Sequence, residues 1–202
     1  MNLFQTLLLS IVEGITEFLP ISSTGHLILV ANLFKIPQTE FVKSFEIIIQ
    51  LGAILAVVVI YFKKLITNFD LWKNIIIAFL PSVIFGLIFY KYIKLSLIGN
   101  SQVVIWSLLI GGVAMLLFER FHKFSSIRYP EGASYVYTLS PIRYLVIGLF
   151  QVLSMIPGTS RAMMTIFGGM AVGMKRKEAV EFSFFLAIPT MFGATVLNLT
   201  KN

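Results

Sequence analysis

Four stretches of this chain are apolar over the length that a helix needs to cross a bilayer. They cover residues 41–62, 71–90, 101–118 and 179–199. A membrane-spanning helix requires about 20 mainly apolar residues, so each stretch qualifies. Charged residues make up only 12% of the chain, whereas a soluble domain averages about 25%. The sequence therefore predicts an all-α polytopic membrane protein.

No polar linker divides the chain, so a single integral membrane domain is expected over residues 1–202. The net charge of +7 does not indicate a nucleic-acid partner, because the Lys and Arg residues are scattered over short loops. Such loop charges set topology and attract anionic lipid headgroups. The absence of Cys excludes disulfides and thiolate metal sites. The first ten residues, MNLFQTLLLS, are not expected to be a cleaved signal peptide, because they lack a basic segment and a cleavage site.

Two further apolar regions are interrupted by short polar segments. PISSTG at 20–25 interrupts the region 3–33, and PGTS at 157–160 interrupts the region 142–173. Helices usually end before a Pro, and Ser or Thr residues cap the helix that follows. Each region therefore predicts a re-entrant hairpin of two helices around a break. Non-helical backbone at membrane depth is tolerated only where protein or a water-filled cavity surrounds it.

The two interrupted regions resemble each other. FLPISS at 18–23 matches MIPGTS 137 residues further along, and the same spacing relates Phe45 to Phe182. We therefore predict two repeats, about 1–118 and 140–202, each with a broken hairpin followed by membrane-spanning helices. Three spans in a complete unit would invert the second repeat, so that the two breaks meet inside the protein. The second repeat is incomplete on this reasoning, and two C-terminal helices are expected to be missing from the chain.

The basic residues are divided unevenly between the two sides of this arrangement. Ten lie on one side and five on the other, and Arg161 is the sixteenth, inside a hairpin. The positive-inside rule places the ten in the cytoplasm, so the first break opens to the external side. The ten are Lys63, Lys64, Lys73, Arg120, Lys123, Arg128, Arg143, Lys175, Arg176 and Lys177, and the five are Lys35, Lys43, Lys91, Lys94 and Lys201.

Glu13 and Glu17 lie beside the first break and are four residues apart, so they share one face of a helix. An ionised carboxylate in the middle of a bilayer costs about 2.5–3.5 kcal/mol on insertion scales. One interpretation is that both side chains reach a wet surface. The alternative, which we favour, is that they line an aqueous pocket, where their repulsion would keep a proton on one of them for acid–base chemistry.

Hydroxyl groups and an imidazole follow the two carboxylates. Ser22, Ser23 and Thr24 can cap the next half-helix, and the amides at that helix N-terminus can also bind an anion such as phosphate. His26 is one of two His residues and is expected to be functional, because it follows the same break. His122 lies among loop charges and is expected to be solvated.

Arg161 follows Ser160 at the second break and is the one Arg within an apolar hairpin. Its planar guanidinium suits a phosphate better than Lys would. If the breaks meet, Arg161 faces Glu17, Ser23 and His26; alternatively, it forms a purely structural pair with Glu13 or Glu17. The first arrangement is typical of chemistry on phosphate esters or anhydrides. Its position within the bilayer implies a phosphate carried by a lipid.

The segments EGITEFLPISSTGH and PGTSRAMMTIFGGM resemble the two signature motifs of the undecaprenyl-diphosphatase, or bacitracin-resistance, family. KSFEIIIQLGAILAVVV and EFSFFLAIPTMFGAT are similar to the family as well. The resemblance implies hydrolysis of undecaprenyl diphosphate in the bacterial inner membrane. This reaction recycles the lipid carrier for peptidoglycan synthesis and gives bacitracin resistance. The second motif commonly continues Ser-Arg-Ser-Gly, whereas Ala162 and Met163 follow here, so position 162 receives no role.

The resemblance also implies which residues act. Glu13, Glu17, Ser23, His26 and Arg161 are expected to be catalytic, and Ser22, Thr24, Thr159 and Ser160 to bind substrate. The nucleophile stays open between Ser23, His26 and water. Glu17 and Glu13 would orient or deprotonate it, or hold a divalent cation such as Mg²⁺ or Ca²⁺. A lipid-phosphate flippase or proton-coupled transporter is the alternative function, and a homodimer is left open.

Overall fold

The computed structural model describes residues 1–92, 101–121 and 139–201, and its regular secondary structure over these residues is entirely helical. His122, Lys94, Lys123 and Arg128, whose environment or side was predicted above, lie outside these ranges. The helices in chain order are α1 (Leu3–Thr16), α2 (Ser23–Leu33), α3 (Glu40–Ile60), α4 (Phe62–Thr67), α5 (Phe69–Tyr92), α6 (Ser101–Phe121), α7 (Pro141–Leu153), α8 (Arg161–Ala171) and α9 (Arg176–Lys201).

Helices α3, α5, α6 and α9 are long and apolar enough to cross a membrane. They confirm the four predicted spans. Large apolar side chains such as Leu55, Ile84 and Leu116 are exposed on them, as expected for surfaces that contact lipid rather than water. The chain is therefore a polytopic helical membrane protein.

The short helix α4 was not predicted, because its six residues carry the Lys63–Lys64 pair that marks a loop in the sequence. Tyr61 ends α3 with a φ of −102° and begins α4 without a side-chain cap. The turn is held instead by Trp72 of α5, whose indole Nε1 donates to the Leu65 carbonyl at 2.7 Å. This contact depends on packing, so no local sequence pattern marks α4.

The two interrupted regions form hairpins of similar dimensions. Helices α1 and α2 have 14 and 11 residues, and α7 and α8 have 13 and 11. Each hairpin is followed by a long helix, α3 or α9. The helix–break–helix prediction is confirmed for both regions. The inverted relation between them, and any helices beyond those described, stay predictions.

The first break ends earlier than the sequence predicted. Ser23, Thr24 and Gly25 were assigned to the break but lie in the first turn of α2. The reason is that Ser22 itself caps the helix: its side chain accepts a hydrogen bond from the Gly25 N–H. Ser22 has a φ of 68°, a conformation that costs a non-glycine residue about 1–3 kcal/mol and that concentrates at functional segments.

The second break depends on a glycine. Gly158 has a φ of +92°, and a Cβ atom there would lie 2.7 Å from the Val104 carbonyl oxygen of α6. Only glycine tolerates both the left-handed backbone and such a close approach. Gly158 therefore allows the second break to pack directly against α6.

Polar contacts gather the predicted cytoplasmic residues at one end of the bundle. Lys64 pairs with Glu181 at 2.9 Å, and Arg176 pairs with Glu119. Arg143 donates to the Val172 carbonyl at 3.3 Å. The contacts link α4 to α9, α6 to α9 and α7 to the end of α8. The side of the membrane on which these residues lie stays a prediction.

Gly148 allows α7 to approach α5, and its replacement is expected to destabilise the protein. A Cβ at this position would meet the Ala78 carbonyl oxygen at 2.2 Å and Pro81 ring atoms at 2.9 Å. Because overpacking costs about 1–3 kcal/mol, Gly148→Ala should lower the thermal midpoint in detergent. Gly52→Ala is the matched control, since no atom lies within 4 Å of that Cβ. Equal midpoints for the two variants would contradict the close α5–α7 packing.

Candidate active site

An ion pair joins the two breaks inside the protein. Nη2 of Arg161 donates to Oε1 of Glu17 at 3.0 Å, although the two residues are 144 positions apart. Glu17 caps the C-terminus of α1, and Arg161 is the first residue of α8. Their side chains are 3% and 9% exposed, respectively. The predicted meeting of the two breaks is confirmed by this contact.

Ser23 is bound to the other oxygen of the same carboxylate. Its hydroxyl donates to Glu17 Oε2 at 2.6 Å. Hydrogen bonds from a hydroxyl to an ionised carboxylate are short and about twice as strong as neutral ones. The Glu17 carboxylate is therefore held between Arg161 and Ser23, with one partner on each oxygen.

The Arg161 guanidinium is only partly satisfied within the protein. Nη1 donates to the Ser183 carbonyl of α9 at 3.0 Å, whereas Nε is buried and has no hydrogen-bond partner among the residues that the structure describes. A buried donor without a partner costs about 1–3 kcal/mol. The positive end of the α8 dipole adds to the positive charge at this point. The site therefore favours an anion, and Glu17 supplies one charge.

Glu13 is the least satisfied group of the cluster. Its side chain is fully buried, and within the described part of the chain neither carboxylate oxygen has a hydrogen-bond partner at normal distance and angle. The polar side chains close enough to act on its charge are Glu17, Ser23 and Glu46, none of which is cationic. Such burial is costly, so Glu13 is a candidate for contact with a ligand.

The four remaining hydroxyl residues divide into two groups. Ser22 and Ser160 accept hydrogen bonds from the backbone N–H three residues further on, at 3.3 and 3.2 Å. They cap α2 and α8, which confirms the capping interpretation for Ser22. Thr24 is exposed. Thr159 is half-buried, and its backbone N–H donates a hydrogen bond to the Ile156 carbonyl. Neither takes part in the described hydrogen bonds of Glu17 and Arg161.

His26 is oriented by the turn that precedes it. Its Nδ1 lies 2.8 Å from the Ser22 carbonyl oxygen. A carbonyl can only accept, so Nδ1 carries a proton and Nε2 of the neutral ring keeps its lone pair. No described hydrogen bond joins His26 to Arg161, so the expectation that the two face each other stays a prediction. The ring is tied to Ser22 and borders a cavity.

This cavity has a volume of about 280 Å³ and lies between the two breaks and α6. Both helix caps, Ser22 and Ser160, are in its wall, so two helix N-termini border it, an arrangement that favours anions. Glu17, Ser23 and Arg161 stand behind these caps rather than in the wall. The lining residues are Pro20, Ile21, Ser22, His26, Ser107, Leu108, Gly111, Gly112, Met115, Gly158, Ser160 and Met163.

Sequence reasoning missed several buried polar residues around the cluster. Glu46 of α3 is buried and accepts a hydrogen bond from Gln38 at 3.3 Å. The rule that an ionisable residue within a membrane span marks function could have found it. Thr165 and Ser183 lie 2.6 Å apart between α8 and α9. Single hydroxyls in apolar helices give no comparable signal.

The fold and the site define the class: a polytopic membrane protein whose broken helices bring charged groups together inside the helical bundle. Residues 6–202 match the model of the family described as Bacitracin resistance protein BacA. Over its full length the chain is 52% identical to Undecaprenyl-diphosphatase of Aquifex aeolicus and 50% identical to that of Sulfurihydrogenibium sp., and it covers 77% of each. It is 43% identical to Undecaprenyl-diphosphatase of Bdellovibrio bacteriovorus, of which it covers 74%. The chain belongs to the BacA family, which confirms the resemblance drawn from its two motifs.

Removing Glu17 is expected to leave Arg161 buried without its anionic partner. Breaking a buried ion pair from one side costs about 3–5 kcal/mol, so Glu17→Ala should strongly lower the free energy of unfolding in detergent. The double variant Glu17→Ala/Arg161→Leu should recover part of that loss. Lys43→Ala is the control: it breaks the exposed pair with Glu40, which is worth about 1 kcal/mol or less. A double variant no more stable than Glu17→Ala would contradict the pairing.

Proposed function

We propose that the protein hydrolyses undecaprenyl diphosphate to undecaprenyl phosphate and inorganic phosphate. The reaction recycles the lipid carrier for peptidoglycan synthesis and gives bacitracin resistance. The observation that carries the proposal is the buried cluster of Arg161, Glu17 and Ser23 at the N-terminus of α8. The relatives named Undecaprenyl-diphosphatase, which match the full chain, support it.

Arg161 and the two helix N-termini would hold the diphosphate. Anions bind favourably where backbone N–H groups point out of a helix start, and the cavity is bordered by two such starts. Arg161 Nε is a buried donor without a partner, so a phosphate oxygen could satisfy it. A guanidinium can bind phosphate through two N–H groups. Groups held in place in this way stabilise negative charge in the transition state.

Ser23 is the proposed nucleophile and Glu17 its base. The hydroxyl lies 2.6 Å from the carboxylate, and the carboxylate is oriented by Arg161. A nucleophile, a base and a third group that orients the base are the parts of an activated nucleophile. Ser23 Oγ would bond to the terminal phosphorus while the bridging P–O bond breaks. Undecaprenyl phosphate leaves, and the Ser23 proton passes to Glu17.

His26 is the proposed base for the second step. Its Nε2 lone pair is free for a proton, because Nδ1 is tied to the Ser22 carbonyl. The ring borders the cavity, which offers water a place to approach. Water would attack the phosphorus of phosphorylated Ser23, lose its proton to His26 and release inorganic phosphate. Ser23 then recovers its proton from Glu17, and His26 would release its proton to water in the cavity.

A divalent cation is proposed as a further participant. Among the described residues, no group of three or more His, Cys, Asp or Glu side chains could hold a metal ion by itself. Mg²⁺, however, is usually bound by one or two carboxylates together with substrate phosphates. Glu13, with two unpartnered oxygens, and Glu17 fit that requirement. Mg²⁺ or Ca²⁺ held there would neutralise charge on the diphosphate.

The protein is proposed to lie in the bacterial inner membrane with the site open to the external side. The positive-inside rule supports this orientation, because ten of the sixteen basic residues belong to the opposite side. The same order of helices in α1–α3 and α7–α9 supports two inverted repeats. Self-association into a homodimer stays a prediction, which cross-linking in native membranes would test.

Phosphate release by the detergent-solubilised protein tests the function, and Arg161→Lys tests the site. Wild-type protein should release phosphate from undecaprenyl diphosphate without a membrane, whereas a pure transporter would release none.

In Arg161→Lys the positive charge is kept, but the planar guanidinium that can bind phosphate through two N–H groups is lost. Losing one charged hydrogen bond, about 1.5–3 kcal/mol, should lower kcat/KM by about 10- to 100-fold. Turnover of Arg161→Lys near the wild-type level would make Arg161 structural.

Glu17→Gln should reduce turnover more than Glu13→Gln. Glu17 contacts both Ser23 and Arg161, and loss of a general base typically lowers the rate by about 100- to 10,000-fold.

A second experiment traps the phosphorylated enzyme. Rapid quenching after mixing with substrate labelled in the terminal phosphate should reveal phosphate on Ser23, and Glu17→Gln should slow its appearance. Label on His26, or a larger loss in Glu13→Gln, would overturn the assigned roles.

A further inference from the structure

Ser183 of α9 is connected to Arg161 by two separate routes. Its carbonyl oxygen accepts a hydrogen bond from Arg161 Nη1 at 3.0 Å. Its hydroxyl lies 2.6 Å from the hydroxyl of Thr165. Thr165 Oγ1 in turn lies 2.9 Å from the Arg161 carbonyl oxygen and 3.2 Å from that of Ala162. One residue of α9 is thus linked to both the side chain and the backbone of Arg161.

The chemistry of these groups sets the direction of the hydrogen bonds. A hydroxyl has one proton to donate, and a carbonyl oxygen can only accept. Thr165 therefore donates its proton to the carbonyls in the first turn of α8. The Ser183 hydroxyl must then donate to Thr165. The result is a directed chain that runs from Ser183 through Thr165 to the backbone of Arg161.

Burial protects this chain from competing water. Ser183 is 0% exposed and Thr165 is 1% exposed. Ser183 lies between the fully buried Phe182 and the buried part of α9 that contains Phe185 and Leu186. Buried networks with every member satisfied rigidify the structure around them. The part of α9 around Ser183, which contacts Arg161, is therefore rigid.

We propose that Ser183, acting through its carbonyl and through Thr165, is the positioning residue of Arg161. It holds the guanidinium and the α8 backbone together, so that Nη2 stays on Glu17 and the unpaired Nε is held in place for a phosphate oxygen. The use of Arg161 for phosphate rests on the proposed function, whereas its positioning by Ser183 does not. Positioning matters because a misplacement of about 1 Å can cost roughly 100-fold in rate.

Four variants test the hydroxyl chain. Ser183→Ala and Thr165→Val remove one hydroxyl each with little change in volume, and each should lower kcat/KM roughly tenfold with most of the loss in kcat. Thr165→Ser keeps the hydroxyl and should stay within about twofold of wild type. Thr195→Val is the matched control on α9, because the Thr195 hydroxyl is buried and has no partner; it should also stay within about twofold.

Double variants separate positioning from a general structural role. If Ser183 acts through Arg161, Ser183→Ala should add less than about twofold in an Arg161→Lys background. Ser183→Ala/Thr165→Val should be no worse than either single change, because both interrupt one chain. A tenfold loss that persists in the Arg161→Lys background would overturn the proposal.

A measurement without substrate distinguishes failure of this inference from failure of the proposed function. The chain contains five Arg residues, so the ¹⁵N spectrum of the side-chain Nε–H groups is simple, and Arg161→Lys assigns the signal of interest. The ¹⁵N relaxation of that signal should indicate a rigid Arg161 side chain in wild type and in Thr195→Val. In Ser183→Ala it should indicate a mobile side chain. Because Ser183→Ala keeps the backbone carbonyl, an Arg161 that remains equally ordered in this variant would overturn positioning through the hydroxyl chain, whether or not the protein releases phosphate.

Discussion

The buried ion pair between Glu17 and Arg161 is the interaction on which the rest of the site depends. Each charge alone would be strongly unfavourable in the interior of a membrane protein. Each lies at a break in a hairpin, so their pairing holds two distant parts of the chain together. Ser23 is bound to the free oxygen of Glu17, and Ser183 to the free Nη1 of Arg161. The pair therefore organises the Glu17, Ser23 and Arg161 side chains and the backbone of α9 at Ser183.

The cluster retains polar groups for which residues 1–92, 101–121 and 139–201 supply no hydrogen-bond partner. Glu13 has two unpartnered oxygens, Arg161 has an unpartnered Nε, and Ser22 adopts a left-handed backbone conformation. Departures of this kind from ordinary satisfaction are expected at functional sites, where a ligand completes the interactions. An anion could satisfy Arg161, and a cation could satisfy Glu13. A diphosphate with a bound divalent ion combines both.

The caps of α2 and α8 separate the charged cluster from the open cavity. Ser22 and Ser160 face the cavity together with His26, while Glu17 and Arg161 lie behind them. Ser23, directly after the first cap, reaches from this boundary to Glu17. A phosphate in the cavity would thus meet two helix N-termini first. The ion pair itself is buried, and exclusion of water strengthens electrostatic interactions within a site.

Local physical rules made the spans, the breaks and most site residue types predictable from the sequence. A bilayer demands about 20 apolar residues for each crossing, and Pro with Ser or Thr ends one helix and starts the next. The tertiary structure alone decided which partners meet. It paired Arg161 with Glu17 rather than Glu13 and placed Ser183 of α9 against Arg161 and Thr165. These choices depend on contacts between segments as far as 144 residues apart, and no local pattern encodes which side chains such packing will bring within hydrogen-bonding distance.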